Sequence, residues 1–326
     1  MHAWLCDNPI GVEALRWIEM PTPAPGPGQL RIAVRAASLN FPDLLTVQNK
    51  YQIKPPLPFV PGSEFSGIVD AVGDGVRQFK PGDRVATIGV AGGFATHASV
   101  DAANVILLPP GFDLEDAAAF AFTYGTSHHA LMDRAALREG ETVLVLGAAG
   151  GVGSAAVQIG KAVGARVIAA ASSDDKCDFC RTLGADTVIN YGRDDLRNAV
   201  KTATDGNGAD VIYDPVGGTL AEPAFRSIAW RGRYLVVGFA GGPIPALPWN
   251  LPLLKGASVV GVYWGEFVRR EPKAFQQSMA ELFGWYAQGR VKPAIDSRLP
   301  MTALPDAYAR IAMRQVRGKL LLVNGD

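Results

Sequence analysis

The stretch Glu141-Thr-Val-Leu-Val-Leu-Gly147-Ala-Ala-Gly150-Gly151-Val152-Gly153-Ser-Ala-Ala-Val-Gln-Ile-Gly-Lys161 decides the reading of this chain. Its apolar run Thr142–Leu146 predicts a buried strand, which stops at Gly147. The Ala-rich pattern Val152–Val163 predicts a helix. Glycines fill the join, where they permit positive φ, close approach of backbone to a ligand and tight helix–strand packing. A helix N-terminus adds unpaired N–H groups and a positive dipole end, which suit a pyrophosphate. The spacing Gly147-x-x-Gly150-x-x-Gly153 departs from the strict G-x-G-x-x-G pattern because position 149 is Ala. Strand, loop and helix nevertheless follow in the order that a dinucleotide-binding unit requires.

Outward from this stretch, strands and helices alternate. Further strands are expected at Arg166–Ala170, Thr187–Asn190, Val211–Asp214, Tyr234–Val237 and Ser258–Val262, and further helices at Asp175–Leu183, Asp194–Ala203 and Leu220–Ala229. Such βα alternation with near-continuous apolar strands implies a parallel, doubly wound sheet. The first 115 or so residues read differently. Short apolar runs (Leu30–Ala36, Phe65–Val72, Arg84–Ile88, Asn104–Leu108) are separated by turn pairs such as Pro61-Gly62 and Pro81-Gly82, the pattern of a compact β domain. Helices follow at Asp116–Ala121 and around Ser127–Ala136. The tail adds helices at Pro272–Gln288 and Leu304–Met313 and a strand at Lys319–Val323. The 326 residues suit about two domains at roughly 150 residues each. Glycine is in excess, with 37 residues, and the excess falls at strand ends and tight turns rather than in linkers.

Composition excludes several classes. Lys+Arg and Asp+Glu both number 31, which argues against a nucleic-acid binder with its basic footprint. No apolar window is long enough to predict a membrane-spanning helix. The first residues, with Asp7, Glu13 and Glu19, are not expected to form a secretory leader. Three cysteines do not make a disulfide framework, so a reducing, cytoplasmic setting is expected. Cys177 and Cys180 are read as two plain thiols on a helix. The adjacent His128 and His129 diverge by about 100° on a helix and are poor joint ligands.

The second strand of the alternating region bears on which dinucleotide is bound. An NAD site usually ends this strand with a carboxylate for the ribose 2′-hydroxyl. Here it ends Ala171-Ser172-Ser173, with Lys176 following, which suits a 2′-phosphate and hence NADPH. Asp174 and Asp175 run against that reading, unless they serve only the first helical turn.

Ser38-Leu-Asn40-Phe-Pro-Asp43, Val60-Pro-Gly62-Ser-Glu64-Phe-Ser-Gly67, Lys80-Pro-Gly-Asp83-Arg84-Val85, the glycine loop, Leu183–Tyr191, Asp214-Pro-Val-Gly-Gly218 and Gly232–Gly238 run in one order along nearly the whole chain. In these segments the chain resembles the zinc-independent quinone oxidoreductase (ζ-crystallin-like) branch of the medium-chain dehydrogenase/reductase superfamily. The resemblance implies an α/β protein. Its GroES-like β-rich catalytic domain would comprise residues 1–118 and 266–326, around a Rossmann domain of residues 119–265. It also implies a cleft between the domains and a homodimer formed through the last Rossmann strand, Ser258–Val262. Carried over residue by residue, it places Gly150, Gly151 and Val152 at the pyrophosphate of NADPH and Ser172, Lys176 and Tyr191 around the 2′-phosphate. By the same resemblance Gly238, Phe239 and Ala240 would lie beside the nicotinamide ribose, Asn40 and Thr126 would flank the nicotinamide, Lys319 would be near the phosphates, and Tyr51 would face the substrate. Zinc enzymes of the superfamily have Cys where this chain has Asn40, His where it has Ser63 and a further Cys near Phe122, so no metal is expected.

Without zinc, alcohol oxidation is disfavoured and reduction of a quinone or enone is expected. Asn40 and Tyr51 are the candidate donors to the oxygen on which charge develops. Asp43 is expected to order its loop and Glu64 to hold structure, and Trp249, Tyr263 and Trp264 are read either as a wall for a flat acceptor or as interface core. The leading expectation is an NADPH-dependent quinone reductase. The alternatives are an alkenal/enone or enoyl-thioester double-bond reductase and a non-catalytic, crystallin-like NADPH-binding protein.

Overall fold

A computed structural model describes residues 1–89 and 91–325. The chain divides into two units, Met1–Phe122 with Pro293–Asp326, and Thr123–Lys292. The discontinuous unit is therefore built from both ends of the chain, but the expected cut at 265/266 falls instead at 292/293.

In the unit built from both ends, the main sheet runs in the order Ile295–Pro300, Lys319–Val323, Gln29–Ser38, Glu64–Val72, Arg84–Ile88, Val105–Leu107, and His97–Asp101 also pairs with Gln29–Ser38. All pairings are antiparallel except the one between Ile295–Pro300 and Lys319–Val323. Alternate residues of Gln29–Ser38 are buried, the period of a sheet with one face on the core. Leu30, Ile32, Phe65, Phe94, Tyr308 and Leu320 fill that core. The C-terminal strand reaches it through the register Leu321↔Ser38, Leu322↔Ala37 and Val323↔Ala36. The expected helix Asp116–Ala121 is displaced, to Leu114–Ala117, where Asp113 caps it by accepting from Glu115 and Asp116 N–H groups.

The second unit holds a fully parallel six-stranded sheet in the order Thr187–Asn190, Arg166–Ala171, Thr142–Leu146, Ala209–Asp214, Ile228–Val236, Ser258–Gly261. In chain order this is 3-2-1-4-5-6, the doubly wound arrangement. Its central strands are buried on both faces, which is why they read as unbroken apolar runs. Order reverses between Thr142–Leu146 and Ala209–Asp214, so their carboxyl ends open the crevice where ligands bind in such sheets.

Two further element expectations need correction. The helix expected at Leu220–Ala229 ends at Arg226, because Ile228 pairs with Ala209 and starts the fifth strand early. The helix Pro272–Ala287 belongs to the parallel-sheet unit and not to the β-rich one. Its Ser278 Oγ lies 2.9 Å from His128 Nδ1, its Glu281 Oε2 lies 3.0 Å from His128 Nε2, and its Phe275 meets Trp264 edge-on.

Asp214 ends the fourth parallel strand. Its buried carboxylate accepts from the N–H groups of Val216 and Gly217, both at 2.8 Å, and from the Tyr234 hydroxyl. An Asp214→Ala substitution strands two buried donors and a half-buried one. It is expected to lower unfolding free energy by about 3 kcal/mol, and Tyr234→Phe by about 1 kcal/mol, both measured by urea denaturation.

Candidate active site

In the parallel-sheet unit, Gly147 follows the first strand with φ +57°, and a Cβ there would stand 2.8 Å from Val216 Cγ2. The Gly150 N–H bonds Gly147 O at 2.9 Å, and the helix Gly151–Ala162 starts from Gly150 as its N-cap. A Cβ on Gly153 would lie 2.3 Å from Gly147 O, so only glycine lets the helix sit this close to the strand end. Among the described residues no side chain caps this helix, and its first N–H groups lack intrahelical acceptors. Such a cradle fits a pyrophosphate. Ser127 Oγ anchors the helix start through Val152 O at 2.8 Å and meets Tyr213 Oη at 2.9 Å.

Ser172 and Lys176 meet just past the second strand, with Lys176 Nζ 3.4 Å from Ser172 Oγ. Tyr191 comes to the same corner from the third strand, its N–H on Ala171 O at 3.0 Å. Asp174 is already engaged: Asn190 Nδ2 donates to it at 3.0 Å and Arg193 at 2.7 Å. Asp175 accepts from Ser173 Oγ. Both carboxylates are thus committed to local structure. Nothing local in the sequence marks Asn190 and Arg193, since their partner Asp174 lies across two strand ends.

Past the fifth strand, the segment holding Gly238, Phe239 and Ala240 is zipped onto the turn after Asp214. Gly238 N–H reaches Asp214 O at 3.3 Å, and Ala240 N–H reaches Pro215 O at 3.1 Å. The Phe239 ring lies against Gly217, where a Cβ would be 2.8 Å from Cδ1. Thr126 sits buried in the helix Ala121–His128. Of the three aromatics expected to wall an acceptor, Trp264 is buried against Gly125, whereas Trp249 is 78% exposed and Tyr263 is exposed as well.

Asn40 and Tyr51 lie in the β-rich unit. Asn40 is the N-cap of the helix Phe41–Val47, and Asp43, inside that helix, accepts Asn40 N–H at 2.8 Å and Ser63 N–H at 3.0 Å. Asp43 thereby orders the loop, as its position suggested. Tyr51 lines a pocket of about 160 Å³ with Thr46, Asn49, Lys54, Leu57 and Phe59. Lys319 departs from the expectation that it meets phosphates. It is 4% exposed, and its ammonium is taken by Leu39 O at 3.3 Å, Asn40 Oδ1 at 2.6 Å and Glu64 Oε2 at 3.2 Å. Glu64, fully buried, also accepts from Ser38 Oγ at 2.7 Å, Asn40 Nδ2 at 3.1 Å and Phe122 N–H at 2.8 Å.

The tempting pairs have ordinary roles. His128 is held by Ser278 and Glu281, and His129 stacks on Phe267 at 4.1 Å. Cys177 and Cys180 are buried thiols, and burial pushes Cys180 up to about 12, so neither is a nucleophile at neutral pH. Among the described residues no helix is long and apolar enough to cross a membrane.

A 3-2-1-4-5-6 sheet with a glycine cradle at its switch point, joined in one chain to a GroES-like β-rich unit, defines a dinucleotide-dependent oxidoreductase. Residues 26–110 match the alcohol dehydrogenase GroES-like domain family and residues 151–284 the zinc-binding dehydrogenase family. Quinone oxidoreductase-like protein 2 of Bos taurus is 39% identical over 307 residues, covering 94% of this chain and 88% of the relative. The quinone oxidoreductase of Pseudomonas aeruginosa is 33% identical over 314 residues, covering 96% of each. The Escherichia coli quinone oxidoreductase, solved in complex with NADPH, superposes with a TM-score of 0.91 at 27% identity, over 99% of this chain and 100% of that one. The chain belongs to the quinone oxidoreductase branch of the medium-chain dehydrogenase/reductase superfamily.

Burial raises the Asp43 carboxyl from 3.8 to about 6, outweighing the lowering by the Asn40 N–H, by Ser63 and by the Lys319 charge. An acid raised on folding binds its proton more tightly in the native state, so its contribution is full at low pH and is lost as pH rises through the native value. The difference in thermal stability between wild type and Asp43→Asn should therefore shift against wild type from about pH 4 to about pH 6 and stay level above, in melting scans across that range.

Proposed function

We propose that this protein is a zinc-independent, NADPH-dependent reductase whose acceptor is a quinone. The observation that carries the cofactor reading is the corner of Ser172, Lys176 and Tyr191, with Asp174 already engaged by Asn190 and Arg193. An ammonium and a hydroxyl favour a 2′-phosphate, and the Asp174 charge is met by Arg193. Gly150, Gly151 and Val152 would hold the pyrophosphate at the helix start, and Gly238, Phe239, Ala240 and Thr126 would hold the nicotinamide half. When bound, NADPH supplies a hydride to an electron-poor carbon conjugated to a carbonyl.

The zinc-independent reading rests on Asn40 and Lys319. The superfamily's metal-ligating Cys position is an amide here, and a buried ammonium stands 2.6 Å from its oxygen. That charge would repel a dication. Asn40 Nδ2–H and the Tyr51 hydroxyl are then the donors for the acceptor oxygen, each worth up to about 3–4 kcal/mol of transition-state stabilisation. For the assembly, the edge strand Ser258–Gly261 pairs on one side only among the described residues, with exposed Val259 on it and exposed Trp249, Leu253 and Leu254 close by in sequence. This is the surface of a homodimer. The three unpaired cysteines fit a cytoplasmic setting.

A panel of acceptors, read as loss of NADPH absorbance, tests the activity. Quinones are expected to turn over; if only enones do, the double-bond reductase reading replaces this one. With a quinone, kcat/KM should favour NADPH over NADH, and Lys176→Ala should raise the NADPH Kd more than tenfold while leaving NADH unchanged. Tyr51→Phe should lower kcat on the order of 100-fold with NADPH binding intact. Val259→Asp should convert the dimer to a monomer in light scattering.

A further inference from the structure

The buried amide of Asn40 is gripped on both sides by groups that can bond it in only one way. Lys319 has donors and no acceptor, so it must face Oδ1, at 2.6 Å. Glu64, as a carboxylate, has acceptors and no donor, so it must face Nδ2, at 3.1 Å. A turn of the amide by 180° would set nitrogen against ammonium and oxygen against carboxylate. Every proton of the Lys319 ammonium is used, on Leu39 O, Asn40 Oδ1 and Glu64 Oε2. Glu64 is filled from Ser38, Asn40, Lys319 and Phe122. Neither charge is available to a ligand. What the network leaves over is one hydrogen on Asn40 Nδ2, which finds no acceptor among the described residues although Asn40 is only 6% exposed. An amide NH2 can donate twice, and Asn40 Nδ2 gives one of its two bonds to Glu64, so a second acceptor can be taken there.

We propose that Lys319 and Glu64 are positioning residues for Asn40: the ion pair locks the amide in the orientation that presents this second Nδ2–H to the acceptor carbonyl. The inference rests on the reading of Asn40 as a donor. Three strands bring the parts together. Ser38 and Glu64 are register partners, Lys319 starts the strand that pairs beside them, and Asn40 follows two residues after Ser38. A buried ion pair adds little net stability over a neutral pair of similar size, so its use here is orientation.

Four variants decide the matter: Asn40→Ala, Lys319→Met, Glu64→Gln and the double variant Lys319→Met/Glu64→Gln. Each single change at the pair leaves an uncompensated buried charge and is expected to lower Tm. The double variant is neutral and is expected to recover most of that loss and to bind NADPH with unchanged Kd. The amide introduced at position 64, however, can meet either end of the Asn40 amide. The double variant's kcat with a quinone should therefore stay down by about tenfold or more, close to that of Asn40→Ala. A folded double variant with wild-type kcat, beside an impaired Asn40→Ala, overturns the positioning role and leaves Asn40 as donor standing. Wild-type kcat in Asn40→Ala overturns the donor reading, and the positioning role with it. Should the double variant fail to fold, Lys319→Arg against Lys319→Gln gives the same decision. Arginine remains a donor-only partner and should keep kcat at least about tenfold above the glutamine variant; equal rates overturn the proposal.

Discussion

A lysine and a glutamate 255 positions apart in the chain are both withdrawn from water and share a bond of 3.2 Å. Charges buried this deeply persist only when every donor and acceptor around them is matched. Here the ammonium spends its three protons inside the unit and the carboxylate accepts four bonds. The β-rich unit depends on this pairing. Residues 1–122 contain Glu64 but not its counter-charge, which arrives only when the strand Lys319–Val323 docks antiparallel to Gln29–Ser38. The tail is therefore not an appendage: it supplies a sheet strand, core residues Leu320 and Leu322, and the cation that makes Glu64 tolerable.

The two units place their functional groups by different means. The parallel-sheet unit relies on backbone: a close helix–strand approach at Gly153, and loops after the fourth and fifth strands laced together by main-chain bonds and the Asp214 carboxylate. Such an arrangement presents N–H groups and dipoles, the right chemistry for phosphates and ribose. The β-rich unit relies on side chains. A closed set of ionic hydrogen bonds holds one amide, and Asp43 clamps the backbone beneath it. That suits the donor role proposed for Asn40, toward a small, changing charge on an acceptor oxygen.

The parallel sheet is legible in the sequence because its strands are buried on both faces. Thr142–Leu146 and Thr187–Asn190 have the bounds that their residues predict, since a run of Val, Leu and Ile ended by Gly or Asn has few other readings. Of the fifth strand, only the second half is legible. Ile228 and Ala229 follow a helical pattern without a break, and their strand character comes from pairing with Ala209. The strand His97–Asp101 leaves no local signal, because its five residues carry no run of apolar character and its neighbour in the sheet, Gln29–Ser38, lies far upstream. The helix Pro272–Ala287 is recognisable as a helix, but its pattern does not say which unit it joins. An apolar stripe says that a face is buried but not against what, and here the answer is His128 and Trp264.

The sequence by itself determined the glycine cradle, the order of the βα units, and the hydroxyl and lysine at the end of the second strand. Each is local, carried by residue types within a few positions of one another. Only the tertiary structure decided that Asp174 is spoken for by Asn190 and Arg193, that Lys319 is buried against Glu64, and that Asn40 keeps one donor uncommitted. Those facts depend on which strand ends and chain termini meet in space. Hydrogen-bond accounting cannot begin until the partners are known, and partners up to 279 residues apart leave no trace in local pattern.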